Sequence, residues 1–90
     1  MVVLDGKKFL DKEKSFEYLN TKFAFSYYVE NLDALYDCLS MEDFDVEIIN
    51  YRDIFINLGQ YGRTLLGVFL DLSLDLYINL NLIGFGEYHD

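Results

Sequence analysis

The chain contains no proline, one cysteine, one histidine and only two arginines. Without proline, and without a Ser/Gly-rich or low-complexity stretch, nothing reads as an interdomain linker. Residues 1–90 are therefore expected to form one domain without a hinge. The lone Cys38 excludes an intrachain disulfide and suits a reducing compartment. The lone His89, beside the last residue, leaves no histidine cluster for a metal and no general base with an orienting partner in sequence. No run of about 18 apolar residues occurs, so no transmembrane helix is expected. Residues 1–9 lack the charged start and long apolar stretch of a signal peptide. The expected place of action is the cytoplasm. Basic residues are also scarce, seven against sixteen acidic ones, for a net charge of −9. A chain repelled by phosphate is not expected to bind nucleic acid through its backbone.

Apolar residues, by contrast, are plentiful. They make up 52% of the chain, with eight Phe and eight Tyr, which is ample for one core and unlike a disordered acidic tail. The charge is unevenly spread. Residues 1–22 hold five Lys against four acids, a net of +1, whereas residues 23–90 hold Arg52 and Arg63 against twelve acids, a net of −10. An acidic surface suits a basic partner and steers its approach. It equally keeps a protein soluble, and charge alone does not choose between the two.

The hydrophobic pattern divides the chain into strands and helices. Val2-Val3-Leu4, ending at the Asp5-Gly6 turn signal, reads as a buried strand. Phe16, Leu19 and Phe23 recur at helical spacing, which predicts an amphipathic helix over 12–22. An aromatic loop over 25–29 follows, with Tyr27 expected at an interface and Tyr28 in the core. A second helix spans 31–40, with Asn31 as its N-cap. Val46–Asn50 reads as a strand, Tyr51–Leu58 as a short helix stopped by Gly59, and residues from 61 or 62 to about 72 as a further helix. From Leu74 to Leu82 apolar and polar residues alternate, the period of a strand with one buried face. Strands separated by helices need crossover connections, so the expected fold is α/β: a three-stranded parallel sheet with about four helices packed on it.

Helix 31–40 breaks local rules. Leu32, Leu35, Tyr36 and Leu39 form its core stripe, while Asp33, Asp37 and Ser40 form a second stripe roughly 130° away at helical spacing. Like charges at i, i+4 repel, and Asp37 lies in the last turns, where the helix dipole disfavours an anion. Such a departure marks a candidate functional face. A polar stripe that is merely solvated fits the same pattern.

The same segment carries a longer signature: Tyr27-Tyr28, then Glu30-Asn31-Leu32-Asp33-Ala34-Leu35, the aromatic Tyr36, then Asp37-Cys38-Leu39-Ser40. It resembles the central motif of the barstar family. Weaker similarity runs through Val3-Leu4-Asp5-Gly6, Tyr51-Arg52 and Leu66-Gly67-Val68-Phe69-Leu70-Asp71. The resemblance implies an inhibitor, not an enzyme, that blocks a basic, secreted, guanyl-preferring ribonuclease in a one-to-one complex. It implies no cofactor or metal, and a monomer when free. Matching positions place Asp37 in the enzyme's phosphate-binding pocket, Asp33 against a nearby arginine and Tyr27 on the catalytic histidine. Asn31 and Ser40 add hydrogen bonds, and Asp71 stands where the family has a glutamate that pairs with an enzyme cation. Val29, Tyr36 and Glu42 complete the contact face. They are also departures, since the family pattern has Gly at 29, Trp at 36 and Gly-Trp at 41–42, where this chain has Met41 and Glu42. A β-branched Val29 is strained in any conformation with positive φ, so the loop is expected to differ from that of tight-binding members. The second reading is a domain of the same fold whose acidic face binds another basic protein.

Overall fold

A computed structural model describes residues 1–41, 45–75 and 78–85; Glu42 and His89 lie outside them. Three strands, β1 (Val2–Asp5), β2 (Val46–Ile49) and β3 (Leu80–Ile83), form one parallel sheet in the order β1-β2-β3. The register pairs Leu4 with Ile48 and Ile48 with Leu82. Parallel neighbours cannot be joined by a tight turn. Helices α1 (Lys12–Phe23) and α2 (Leu32–Ser40) therefore connect β1 to β2, and α3 (Arg52–Leu58) and α4 (Gln60–Asp75) connect β2 to β3. The expected α/β architecture is the observed one. Burial follows position: central β2 is buried at Val46, Ile48 and Ile49, whereas edge strand β3 alternates half-buried Leu80 and Leu82 with exposed Asn81 and Ile83.

Local chemistry sets the helix ends. The Asp11 carboxylate accepts the Lys14 N–H at 2.7 Å and caps α1. The other end of α1 closes on Ala24 in the left-handed conformation, φ 50°, its N–H donating to the Asn20 carbonyl. Helix α3 stops at Gly59, as its sequence predicts. Gly6 is demanded by proximity, because a Cβ there would overlap the carbonyl oxygen of Asn50. Asn50 itself takes φ 52° and donates its side-chain amide to the Asp5 carboxylate at 3.0 Å, which ties the ends of β1 and β2 together.

One expectation needs correction. Helix α4 runs through Leu74 and Asp75, two residues assigned to the last strand by the alternation. Leu65, Leu66, Phe69 and Leu72 are buried at a spacing of three or four, and no Gly or Pro interrupts the chain between Gly67 and Gly84. The helical period therefore outlasts the start of the alternation, and Leu74 ends exposed on α4. From Ile78 the alternation holds: Ile78 is buried and Asn79 and Asn81 are exposed.

A single hydrophobic cluster joins β1, α1, α2, β2, α3 and α4, with Leu4, Leu19, Leu35, Leu39, Ile48 and Leu72 fully inaccessible. Each such side chain contributes about 1.5–3 kcal/mol by leaving water. Leu35 and Leu39 fix which way α2 faces, and so which way its aspartates point. Among the described residues, no helix is long and apolar enough to cross a membrane.

Candidate functional site

The site begins where α1 ends. Phe23 stacks on Phe25 with ring centroids 5.4 Å apart, and on Phe69 of α4 at 6.4 Å. This aromatic base anchors the start of the loop. Four residues on, Val29 is fully buried in the core cluster. Its N–H donates to Asn20 Oδ1 at 2.8 Å, and its carbonyl accepts from Asn20 Nδ2 at 2.7 Å. Val29 therefore turns its side chain into the core. It is not strained: among the described non-glycine residues, only Ala24 and Asn50 have positive φ.

With Val29 inside, its neighbours are displaced outward. Tyr27 and Tyr28 are 54% and 55% exposed. Tyr27 is thus open to a partner, whereas Tyr28 does not join the core as expected, because Val29 takes the one inward place in this stretch. The Tyr27 hydroxyl is bonded to the Cys38 side chain, which holds its pKa above the ordinary tyrosine value; lost hydration and the charges of Cys38 and Asp37 push the same way. Loop and helix thus meet around a cavity of ≈ 120 Å³ lined by Phe25, Ser26, Tyr27, Asp37, Cys38 and Met41.

Helix α2 presents the acids. Asn31 accepts the Ala34 N–H at 2.8 Å through Oδ1, which occupies its carbonyl and leaves its exposed amide NH₂ as a donor. Asp33 lies in the first turn, where the dipole stabilises it. Asp37 is one turn further on. Both are exposed, and neither makes an ion pair with any described residue. Ser40, half-buried, donates its hydroxyl to the Asp37 carbonyl at 2.8 Å and closes the helix end. No basic residue occupies the last turn.

Tyr36 carries the site across to α4, against which α2 packs. Its hydroxyl donates to Asp75 Oδ2 at 3.1 Å. That bond holds the Tyr36 pKa above the ordinary value, helped by lost hydration and by the charges of Asp75, Asp71 and Asp37. One phenol therefore stands among three aspartates drawn from two helices. Asp71, a candidate from sequence, is exposed on α4 and brought to the same region. Asp75 went unnoticed in the sequence because the alternation placed it in a strand; its spacing of four from Asp71 was the available signal. Asn20 was also missed, although an asparagine inside a helix is a poor helix former and so a mark of some other duty.

An exposed pair of carboxylates on a rigid helix, uncompensated from within, can accept charge-assisted hydrogen bonds from an incoming arginine or lysine. Among the described residues, no group of three His, Cys, Asp or Glu side chains could hold a metal. The family model described as Barstar (barnase inhibitor) matches residues 1–76. The chain belongs to the barstar family. Its barstar match runs from β1 through α4 and so contains the loop, both acidic helices and Asn20. The barstar description is that of an inhibitor, in keeping with an exposed acidic face beside a small cavity. A search among curated proteins finds no match.

Proposed function

We propose that this chain inhibits a basic, barnase-type, guanyl-preferring ribonuclease by inserting α2 and the loop before it into the enzyme's active site. The observation that carries the reading is the exposed Asp33–Asp37 pair, which no described cation neutralises. A ribonuclease site is built to stabilise phosphate charge. Carboxylates fixed on a helix offer that charge without being cleavable, and arginines bind them by short charge-assisted bonds. Because the helix is already ordered, little freedom is lost on docking.

In this reading Asp37 takes the phosphate pocket and Asp33 a neighbouring arginine. Tyr27 packs on the catalytic histidine, and Asn31 and Ser40 supply hydrogen bonds. Tyr36 and Asp71 extend the face towards α4, and Glu42 stands at its rim. The complex is one-to-one, the free protein is a monomer, and the encounter takes place in the cytoplasm. The net charge of −9 steers a basic enzyme towards the face, so association slows as salt rises.

The test is titration of a barnase-type ribonuclease with the protein while RNA cleavage is followed. Cleavage is expected to vanish at one equivalent. Asp37→Asn should weaken inhibition far more than Asp53→Asn, an equal change of charge in α3. Equal effects would sink the reading and favour diffuse attraction to some other basic protein.

A further inference from the structure

We infer that Asn20 is the positioning residue of the docking loop, a role that rests on the inhibitor reading above. Both donors and the acceptor oxygen of its side-chain amide are engaged. One Nδ2 hydrogen goes to the Phe16 carbonyl at 2.7 Å, the other to the Val29 carbonyl at 2.7 Å, and Oδ1 accepts the Val29 N–H at 2.8 Å. Only an amide does this, because Val29 requires an acceptor and a donor side by side. A leucine of the same shape offers neither, and an aspartate offers only the acceptor.

The clamp spans nine residues and seizes the loop at its one buried point. Tyr27 lies two residues before Val29 and Asn31 two after it, so both ends of the docking loop are referred to α1. Helix α1 is itself fixed: Asp11 caps it, and the Tyr18 hydroxyl accepts the Asp5 N–H at 2.9 Å, bonding it to β1. Without the clamp the 25–31 segment keeps its aromatic anchor at Phe25 and its helix cap at Asn31 but gains alternatives between them. A loop competent for only a fraction of the time binds more weakly by that fraction. Asn20 touches no partner in this account and acts wholly through the loop.

The experiment compares the full-length protein with Asn20→Ala and Asn20→Asp, first by amide hydrogen exchange of the free proteins and then by binding to a barnase-type ribonuclease. Both variants are read well below their melting temperatures. In the native protein the Val29 amide is expected to be protected, and in Asn20→Ala to exchange at least tenfold faster, while Leu35 and Leu39 in α2 keep their protection. Affinity is expected to fall roughly tenfold. Because steering is untouched, the slope of the association rate with salt stays that of the native chain. Asn20→Asp, which keeps the acceptor but sets a carboxylate against the Val29 carbonyl, should do no better than Asn20→Ala. Native affinity in both variants would overturn the inference, as would equal loss of protection throughout α2, which marks a general loss of stability. If the native protein itself does not bind the enzyme, the inhibitor reading fails. The exchange at Val29 then decides alone whether Asn20 orders the loop.

Discussion

Helices α1 and α2 are neighbours in sequence and opposites in design. In α1 the acids sit at the start and a lysine at the end, as the dipole favours: Asp11 caps it, Glu13 lies in the first turn and Lys22 in the last, with Lys12 and Lys14 the exceptions. Along its side, Lys14 and Glu17 pair at 3.7 Å. In α2 the N-terminal half follows the same rules, with Asn31 as cap and Asp33 in the first turn, and the C-terminal half breaks them. Asp37 faces the negative end of the dipole, sits one turn from a like charge and has no described counter-ion. Both helices bury two large apolar side chains fully or nearly so, Phe16 and Leu19 in one, Leu35 and Leu39 in the other. Packing holds each in place, so α2 can tolerate a local penalty of some tenths of a kcal/mol that an isolated helix could not. On the inhibitor reading, the cation that α2 lacks is supplied by the enzyme.

Asp37→Ala is the hardest test of that contrast, and it has two signs. In the complex the carboxylate is expected to be desolvated among enzyme cations. Removing one partner of such a pair costs about 3–5 kcal/mol, roughly 150- to 5,000-fold in affinity. In the free protein the same change relieves the dipole and the repulsion from Asp33, so stability should rise by about 0.5–1 kcal/mol. Titration of ribonuclease inhibition and urea unfolding check the two halves. A variant that loses both affinity and stability would show Asp37 to be a structural residue and erase the difference between the helices.

The mirror experiment is in α1. Asp11→Ala removes a cap that serves only the fold, at a cost of about 1 kcal/mol of stability. Inhibition measured where the variant is fully folded should equal that of the native chain. A loss of affinity there would extend the docking face onto α1.

Part of this contrast was legible in the sequence. The core stripe of α2, its cap and its outward aspartates follow from helical spacing, and the structure places Leu35, Leu39 and Asn31 accordingly. The parallel pairing and the half-covered last strand were accessible as well, the first from the alternation of strands with helices and the second because period and burial go together. What spacing could not supply was any relation made by a single long-range bond. The amide of Asn20 meeting the backbone of Val29, and Tyr36 meeting Asp75, depend on where two separate elements come to rest. The inward turn of Val29 was hidden because a motif says which residues recur, not which side of the chain they occupy. The overrun of α4 had another cause: over three or four residues an alternation is too short to exclude a helix, and Leu74, apolar yet on the exposed side of α4, lengthened it.

A smaller effect is expected where α1 itself departs from its optimum. Ala24 ends the helix at φ 50°, a region that favours glycine. Ala24→Gly removes that strain and adds freedom to the unfolded chain, which partly offsets it. Thermal unfolding should show a gain of about 0.5 kcal/mol. The residue precedes the aromatic anchor Phe25, so inhibition tests whether the gain comes at the expense of loop order. Unchanged affinity would separate the helix end from the docking loop, and weakened affinity would join them.

The finest test concerns the tyrosine between the two acidic helices. The Tyr36 pKa is raised in the folded protein, first by its bond to Asp75 and then by lost hydration and the charges of Asp75, Asp71 and Asp37. The folded state therefore keeps the phenolic proton to higher pH than the unfolded chain does. Between the two pKa values the unfolded state binds fewer protons, so stability falls as pH rises. The contribution is complete below about pH 10, the ordinary tyrosine value, and disappears as pH climbs through the folded one. Tyr27 and Tyr61 are raised as well and contribute declines of the same sign. Tyr36→Phe should thus make the alkaline fall in stability shallower without abolishing it, as followed by unfolding at a series of pH values above neutrality. An unaltered fall would mean that Asp75 does not hold the phenol in solution. The acids of α4 would then stand apart from those of α2, and the site would shrink to one helix and its loop.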